Sequence, residues 1–173
     1  GPYAGQLLMG DMVTGGLKRI SLQEVNGQLQ GCAFRFSQGF EAGVKSLTEA
    51  ADGSIYVGCA DGIGNWGFPS QKRSGLDKVN WTEGQAFEIL SVEAMANGIL
   101  LNFSQALRAG KGINPTDYLI RQWKYNEEGK ATNVKSLNIG ATTISEDRKS
   151  IFLHLSEMEA GSVLYLRILN PFI

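Results

Sequence analysis

The chain is poor in the residues from which catalytic and metal sites are usually built. Its 173 residues include one histidine, His154, and two cysteines, Cys32 and Cys59. These three side chains cannot supply the four nitrogen or sulfur ligands of a structural zinc site without carboxylates. The motifs G-x-S-x-G, G-x-x-x-x-G-K-[ST] and H-E-x-x-H are also absent from the sequence. We therefore expect no catalytic residue, no metal site and no cofactor site in this chain.

An excess of charge of one sign and long apolar runs are missing as well. Sixteen lysine and arginine residues balance seventeen aspartate and glutamate residues, which argues against nucleic acid as a partner. No apolar run approaches the roughly 18 residues that a membrane-spanning helix needs. The first five residues lack the charged and apolar regions of a signal peptide, and Gly1 is typical of a scar left by tag removal. We therefore expect that the natural N-terminus lies upstream of this sequence.

Alternation with a period of two is what the sequence has in abundance. Leu17–Leu22 and Gly31–Ser37 alternate as half-buried strands do, and Asn26-Gly27 between them is a strong hairpin signal. Glycine recurs every few residues in this part of the chain. Short strands with regular glycine turns are typical of propeller blades, barrels or sandwiches. Residues 1–81 are therefore predicted to form one β unit made of glycine-rich antiparallel sheets.

From residue 87 onward the predicted strands are longer and glycine is sparser. They cover Phe87–Ala94, Ile99–Phe103, Tyr118–Tyr125, Val134–Ser145, Ser150–Ser156 and Val163–Leu169. About six or seven strands in a segment of this length fit an immunoglobulin-like sandwich. No segment has a sustained helical period, so helix is limited to a turn near residues 106–109 or 114–117. The predicted fold class is all-β, with a propeller-blade-like unit followed by an Ig-like β-sandwich over residues 87–173.

The cysteines and the histidine have structural interpretations. Cys32 and Cys59 lie in strand-like runs and are expected to be small buried residues, with a disulfide between them as the alternative. His154 stands between Leu153 and Leu155 and is expected to point outward from its strand. The glycine-rich stretch 58–67 is expected to be a tight loop, because it lacks the acidic density of a calcium loop.

Aromatic side chains are the candidate ligand-binding residues. Trp66 and Phe68 lie in the glycine-rich stretch, where aromatic faces could stack on a sugar ring. Trp81 follows the last short strand of the first half. Trp123 shares one face of its strand with Tyr125, and for this pair packing between two sheets is the expected arrangement, with a carbohydrate platform as the alternative. The candidate ligand-binding set is therefore Trp66, Phe68, Trp81 and Trp123.

Two parts of the chain resemble bacterial protein families. PYAGQLLMGD, GGLKRISLQEVNGQLQGCAFRFSQGF and GVKSLTEAADGSIYVG, within residues 2–81, resemble the last part of the β-propeller of glucose/sorbosone (quinoprotein sugar) dehydrogenase-like proteins. NGILLNFSQAL and ISEDRKSIFLHLSEMEAGSVLYLRI, within residues 87–173, are similar to Ig-like modules of bacterial S-layer and other envelope proteins. The resemblance implies a larger parent that carries pyrroloquinoline quinone and calcium and oxidises sugars. The family's catalytic histidine has no counterpart in residues 2–81, so no catalytic residue is carried over.

These expectations lead to a main hypothesis with two rivals. The first is a non-catalytic C-terminal fragment of a secreted, periplasmic or cell-envelope sugar-dehydrogenase-like protein, whose Ig-like part is a spacer or docking module. Its partner would be the rest of the parent chain. The second is a carbohydrate-binding β-sandwich module that uses one of the four aromatic residues. The third, ranked below the other two, is a quinone-dependent enzyme formed by this piece alone.

Overall fold

The computed structural model describes residues 3–60, 73–84, 86–170 and 172. These residues form thirteen β-strands and one three-residue 3-10 turn, Pro115–Asp117. The prediction of an all-β chain is confirmed. Contacts between Cα atoms divide the chain into two compact units, and the boundary in the sequence falls between residues 85 and 86. No helix in the described part of the chain has the length and apolar character needed to cross a membrane.

The first unit contains two antiparallel three-stranded sheets. Its strands are β1 (Leu7–Asp11), β2 (Gly16–Val25), β3 (Gln28–Gln38), β4 (Val44–Glu49), β5 (Ile55–Ala60) and β6 (Ser74–Val79). The sheets have the orders β1-β2-β3 and β4-β5-β6, so each follows the sequence as a meander. Asn26 and Gly27 both adopt positive φ, 51° and 76°, at the turn that joins β2 to β3. This is the backbone that the Asn-Gly pair predicted for a tight hairpin.

The core of the first unit is small and contains one of the two cysteines. Its buried apolar members are Leu17, Ala42, Val44, Val57 and Cys59, and Phe36, Phe40, Leu47, Ile55 and Val79 pack against them. The two sheets approach each other closely at Gly10 of β1, where an added Cβ would lie 2.5 Å from a methyl carbon of Val44 on β4. Glycine at this position allows the two sheets to pack.

The second unit is a β-sandwich. Its strands are β7 (Ile89–Met95), β8 (Gly98–Phe103), β9 (Tyr118–Tyr125), β10 (Ala131–Ser136), β11 (Ile139–Ile144), β12 (Ser150–Leu155) and β13 (Val163–Ile168). They form a four-stranded sheet, β11-β12-β8-β7, and a three-stranded sheet, β10-β9-β13. Both sheets contribute to one buried core, which includes Ile99, Leu101, Tyr118, Ile120, Ile151 and Leu153. Four and three strands around one core are typical of this architecture.

The prediction of one continuous strand over Val134–Ser145 was wrong. The chain forms β10 and β11 there, and these strands belong to different sheets. Leu137 lies between them with its side chain buried and its N–H donating to the carbonyl oxygen of Ile120. The chain therefore leaves the edge of β9 after Leu137 and crosses to the opposite sheet. The turn expected near residues 114–117 is confirmed as Pro115–Asp117.

Candidate functional site

Trp123 and Tyr125 lie on the outer face of the three-stranded sheet. In β9 the side chains of Tyr118, Ile120 and Gln122 are buried, so the alternate side chains point away from the core. The expectation that Trp123 and Tyr125 pack between the sheets was therefore wrong. Gln122 fixes which side chains of β9 point inward. Its side-chain amide donates to the carbonyl oxygen of Glu157 at 3.1 Å and accepts from the N–H of Glu159 at 3.2 Å. These bonds satisfy a buried polar side chain at an inward position.

The two aromatic rings form a corner on this face. Their centroids are 6.3 Å apart and their planes meet at 89°. Tyr125 is 58% exposed, Trp123 is half-buried, and Val163 lies directly opposite Trp123 on β13 with 40% exposure. We call Arg121, Trp123, Tyr125, Val163 and Tyr165 the outer aromatic face. Apart from Arg121, all its side chains are apolar or aromatic. The face therefore carries exposed apolar surface that does not pack in the core.

A β-bulge lies beside Trp123. The register between β10 and β9 shifts between Thr132 and Lys135, and Asn133 in the shifted segment has a φ of 54°. Bulges bend a strand and redirect side chains, and they are common next to functional sites. The indole Nε1 of Trp123 is enclosed and has no hydrogen-bond partner among the described residues. An enclosed N–H without an acceptor costs about 1–3 kcal/mol, so the packing around the indole at this bulge has an energetic cost.

Positive charge accompanies the rings. Arg121 lies opposite Tyr165 and Arg167 lies opposite Leu119, and both arginines are exposed. Neither guanidinium forms an ion pair within the described ranges. Two exposed guanidinium groups beside aromatic rings favour ligands that combine a ring with a negative or hydroxyl-rich edge.

The acidic side chain of Glu159 is paired with two lysines. The carboxylate of Glu159 forms ion pairs with Nζ of Lys135 at 2.7 Å and with Nζ of Lys124 at 3.5 Å. The hydrogen bond from Lys135 lowers the pKa of the Glu159 carboxyl group, and the same contact raises the pKa of Lys135. Glu159 therefore remains ionised and paired with these lysines, which leaves Arg121 and Arg167 for other partners.

Trp81 belongs to a separate aromatic cluster in the first unit. It is 56% exposed and meets the ring of Tyr3 edge to face at 5.7 Å. The guanidinium of Arg19, whose residue is 1% exposed, lies between the rings of Tyr3 and Phe34 at 4.5 and 4.3 Å from their centroids. A cation between two aromatic faces stabilises the sheet from inside. Trp81 is the solvent-exposed end of this structural cluster.

Two of the four predicted ligand-binding residues cannot be placed. Trp66 and Phe68, together with most of the glycine-rich stretch 58–67, lie outside the described residues. The structure places Trp81 and Trp123 in different units, in separate clusters. Sequence reasoning did not identify Val163 as the neighbour of Trp123 or Tyr165 as the neighbour of Arg121, because only the pairing of β13 with β9 brings them together.

A polar cleft in the first unit is too small for a sugar. Its volume is about 80 Å³, and Thr14, Lys18, Arg35 and Gln38 contribute to its lining. Ligand pockets are commonly about 300–1,000 Å³, so this cleft has room for a few waters. Asp11 lies 2.7 Å from Nζ of Lys18 and neutralises one of the two cations.

The histidine and the cysteines have structural surroundings. His154 points outward from β12, as predicted, and its Nε2 lies 2.9 Å from Oγ1 of Thr143. Both cysteines are free thiols, so the disulfide alternative was wrong. Cys59 is buried, and burial raises its pKa, whereas Cys32 is half-buried. Within the described residues no group of three His, Cys, Asp or Glu side chains is arranged to hold a metal ion.

Comparison with protein-family models, with curated proteins and with solved structures gives no match. The resemblances of residues 2–81 and 87–173 therefore stay predictions.

Proposed function

We propose that the chain is a non-catalytic module that binds carbohydrate on the outer aromatic face of its Ig-like sandwich. The position of Trp123 and Tyr125 carries this proposal, because both rings occupy an open sheet face instead of the core. A core aromatic residue is accounted for by packing, whereas exposed aromatic residues that adjoin polar donors are suited to recognition.

The chemistry of the face suits a sugar. The apolar C–H surface of a pyranose can lie against an aromatic ring, and its hydroxyl oxygens can accept hydrogen bonds from Arg121. Arg121 and Arg167, which form no ion pair with another described residue, favour glycans that carry carboxylate or sulfate groups. The perpendicular rings favour one sugar unit held in the corner over a long flat chain stacked along the sheet.

Affinity electrophoresis in gels that contain neutral or acidic polysaccharides tests the proposal. We expect the chain to be retarded, more strongly by an acidic polysaccharide. Trp123→Ala should abolish the retardation, and Trp81→Ala, which removes a comparable exposed indole from the other unit, should leave it unchanged. Unretarded migration in every gel, or loss of retardation only with Trp81→Ala, would overturn the proposal.

A second candidate function concerns the parent protein. The first unit contains two antiparallel meanders of three strands each, and the four-stranded blades of a propeller are antiparallel meanders as well, which supports a sugar-dehydrogenase-like origin. In this proposal the chain is the C-terminal part of a secreted, periplasmic or cell-envelope protein, and the sandwich is a spacer or docking module. The parent's propeller would supply the quinone and calcium chemistry. Sugar oxidation by the chain alone, with quinone and calcium added, would contradict this assignment, and its absence is the expected result.

A further inference from the structure

Strand β13 differs from the other edge strands of the sandwich. The sheet orders place β7, β10, β11 and β13 at edges. Register shifts interrupt β7 between Ile89 and Ser91, β10 between Thr132 and Lys135, and β11 between Ile139 and Ala141. β13 keeps one unbroken register with β9 over Val163–Ile168. Proteins commonly use bulges to prevent an edge from pairing with another chain, and β13 has no bulge of this kind.

The backbone of β13 presents groups to solvent at regular spacing. The N–H of Leu169 donates to the carbonyl oxygen of Asp117 at 2.7 Å. Because backbone groups alternate in direction along a strand, the N–H and C=O groups of the odd-numbered residues of β13 point toward β9. On the other side of β9, the N–H of Leu137 donates to the carbonyl oxygen of Ile120. The even-numbered residues of β9 therefore direct their backbone groups toward β10, which leaves the odd-numbered ones to pair with β13. The N–H and C=O groups of residues 164, 166 and 168 therefore point away from β9, where the described chain has no further strand.

Both faces of this edge carry apolar side chains, and the outer face also carries the exposed Arg167. Leu164, Leu166 and Ile168 pack against the sandwich core but are only half-buried. On the other face Val163 is 40% exposed and Tyr165 is 44% exposed. An added strand would cover apolar surface on both sides and satisfy the outward backbone groups.

We propose that β13 pairs antiparallel with β13 of a second copy of this chain. The sequence of the strand argues for this occupant, because it is complementary to itself. With Leu166 opposite its own copy, Leu164 lies opposite Ile168 and Val163 lies opposite Leu169. Tyr165 then lies opposite Arg167, a pair in which the cation can contact the ring. This register places no like charges opposite each other and pairs the outward backbone groups of residues 164, 166 and 168.

The pairing has a consequence for ligand binding that rests on the proposed function. Two three-stranded sheets would join into one six-stranded sheet around a two-fold axis perpendicular to it. Such an axis keeps the outer aromatic faces of both copies on the same side of the sheet. A polysaccharide that spans both faces would be held with greater avidity than a single sugar unit.

Sedimentation velocity of the full chain over a wide concentration range tests the pairing. Tyr165→Lys places a like charge opposite Arg167 at both symmetric positions, and Tyr165→Glu, of similar size, places an opposite charge there. We expect Tyr165→Lys to raise the dimer dissociation constant at least about tenfold and Tyr165→Glu to leave it unchanged or lower it. Arg167→Glu combined with Tyr165→Lys should restore the wild-type value.

This double substitution also separates pairing from folding. The introduced lysine faces Arg121 within the same copy in both the single and the double variant, so any loss of fold from that contact is common to both. A chain that is monomeric up to millimolar concentration would overturn the proposal. A dimer equally sensitive to the lysine and glutamate substitutions, or one that the double substitution fails to restore, would also overturn it. Loss of glycan binding with dimerisation intact would instead count only against the proposed function.

Discussion

The carboxylate of Asp11 lies 2.7 Å from Nζ of Lys18 at the hairpin between β1 and β2. The same carboxylate accepts hydrogen bonds from the N–H groups of Val13 and Thr14 and from the Thr14 hydroxyl. The hydrogen bond from Lys18 is the largest influence on the pKa of Asp11 and, with the bonds from Thr14, holds it well below its ordinary value. A depressed carboxyl pKa stabilises the folded state above the unfolded pKa of about 3.9, and this stabilisation is lost as the pH falls below that value.

Asp11→Asn should therefore destabilise the first unit in a pH-dependent way. The amide keeps an acceptor for the turn but loses the ion pair, so we expect the free energy of unfolding at pH 7 to fall by about 1 kcal/mol. Urea unfolding at pH 7 and at pH 2.5 measures the effect. The difference between wild type and variant should shrink at the lower pH, and a difference independent of pH would show that the ion pair does not contribute.

Gly98 at the start of β8 is predicted to be intolerant of any side chain. An added Cβ would lie 2.1 Å from the carbonyl oxygen of Leu153, a residue fully buried in the sandwich core. Since backbone cannot move aside as a flexible side chain does, Gly98→Ala should destabilise the sandwich by about 3 kcal/mol or more. Gly84→Ala is the control, because nothing lies within 4 Å of its Cβ position. Equal thermal stability of the two variants would contradict the packing at Gly98.

The two thiols should react at different rates. Cys59 is buried and burial raises its pKa, which disfavours the reactive thiolate, whereas Cys32 is half-buried. With Ellman's reagent at pH 8 we expect one thiol to react before the other, and the second to react only when denaturant unfolds the first unit. Cys32→Ser should remove the early phase. Simultaneous rapid reaction of both thiols would show that Cys59 is more accessible than its burial indicates.

Much of the strand pattern was predictable because local alternation reflects the final packing. In β12, Ile151, Leu153 and Leu155 are buried and His154 points outward, as their alternation predicts. The hairpin at Asn26 and Gly27 was predictable for a similar reason, since the positive φ angles depend on those two residues.

The remaining features depend on contacts distant in sequence. In β2 the buried side of the strand contains Leu17 and Arg19, while Leu22 is 47% exposed on the opposite side. A prediction from hydrophobicity alone would expose Arg19. Its burial is favourable because its guanidinium contacts the rings of Tyr3 and Phe34. Likewise, the buried Gln122 fixes the phase of β9 through bonds to a distant segment, and this places Trp123 on the outer face.

The most direct test of carbohydrate binding at the outer aromatic face is the fluorescence of single-tryptophan variants. The chain contains Trp66, Trp81 and Trp123, and each can be retained alone by Trp→Phe substitution of the other two. We predict that titration with an acidic oligosaccharide shifts or quenches the emission of the variant that retains Trp123 and leaves the other two variants unchanged. A saturable change confined to the variant that retains Trp66 or Trp81, with none for Trp123, would contradict the account.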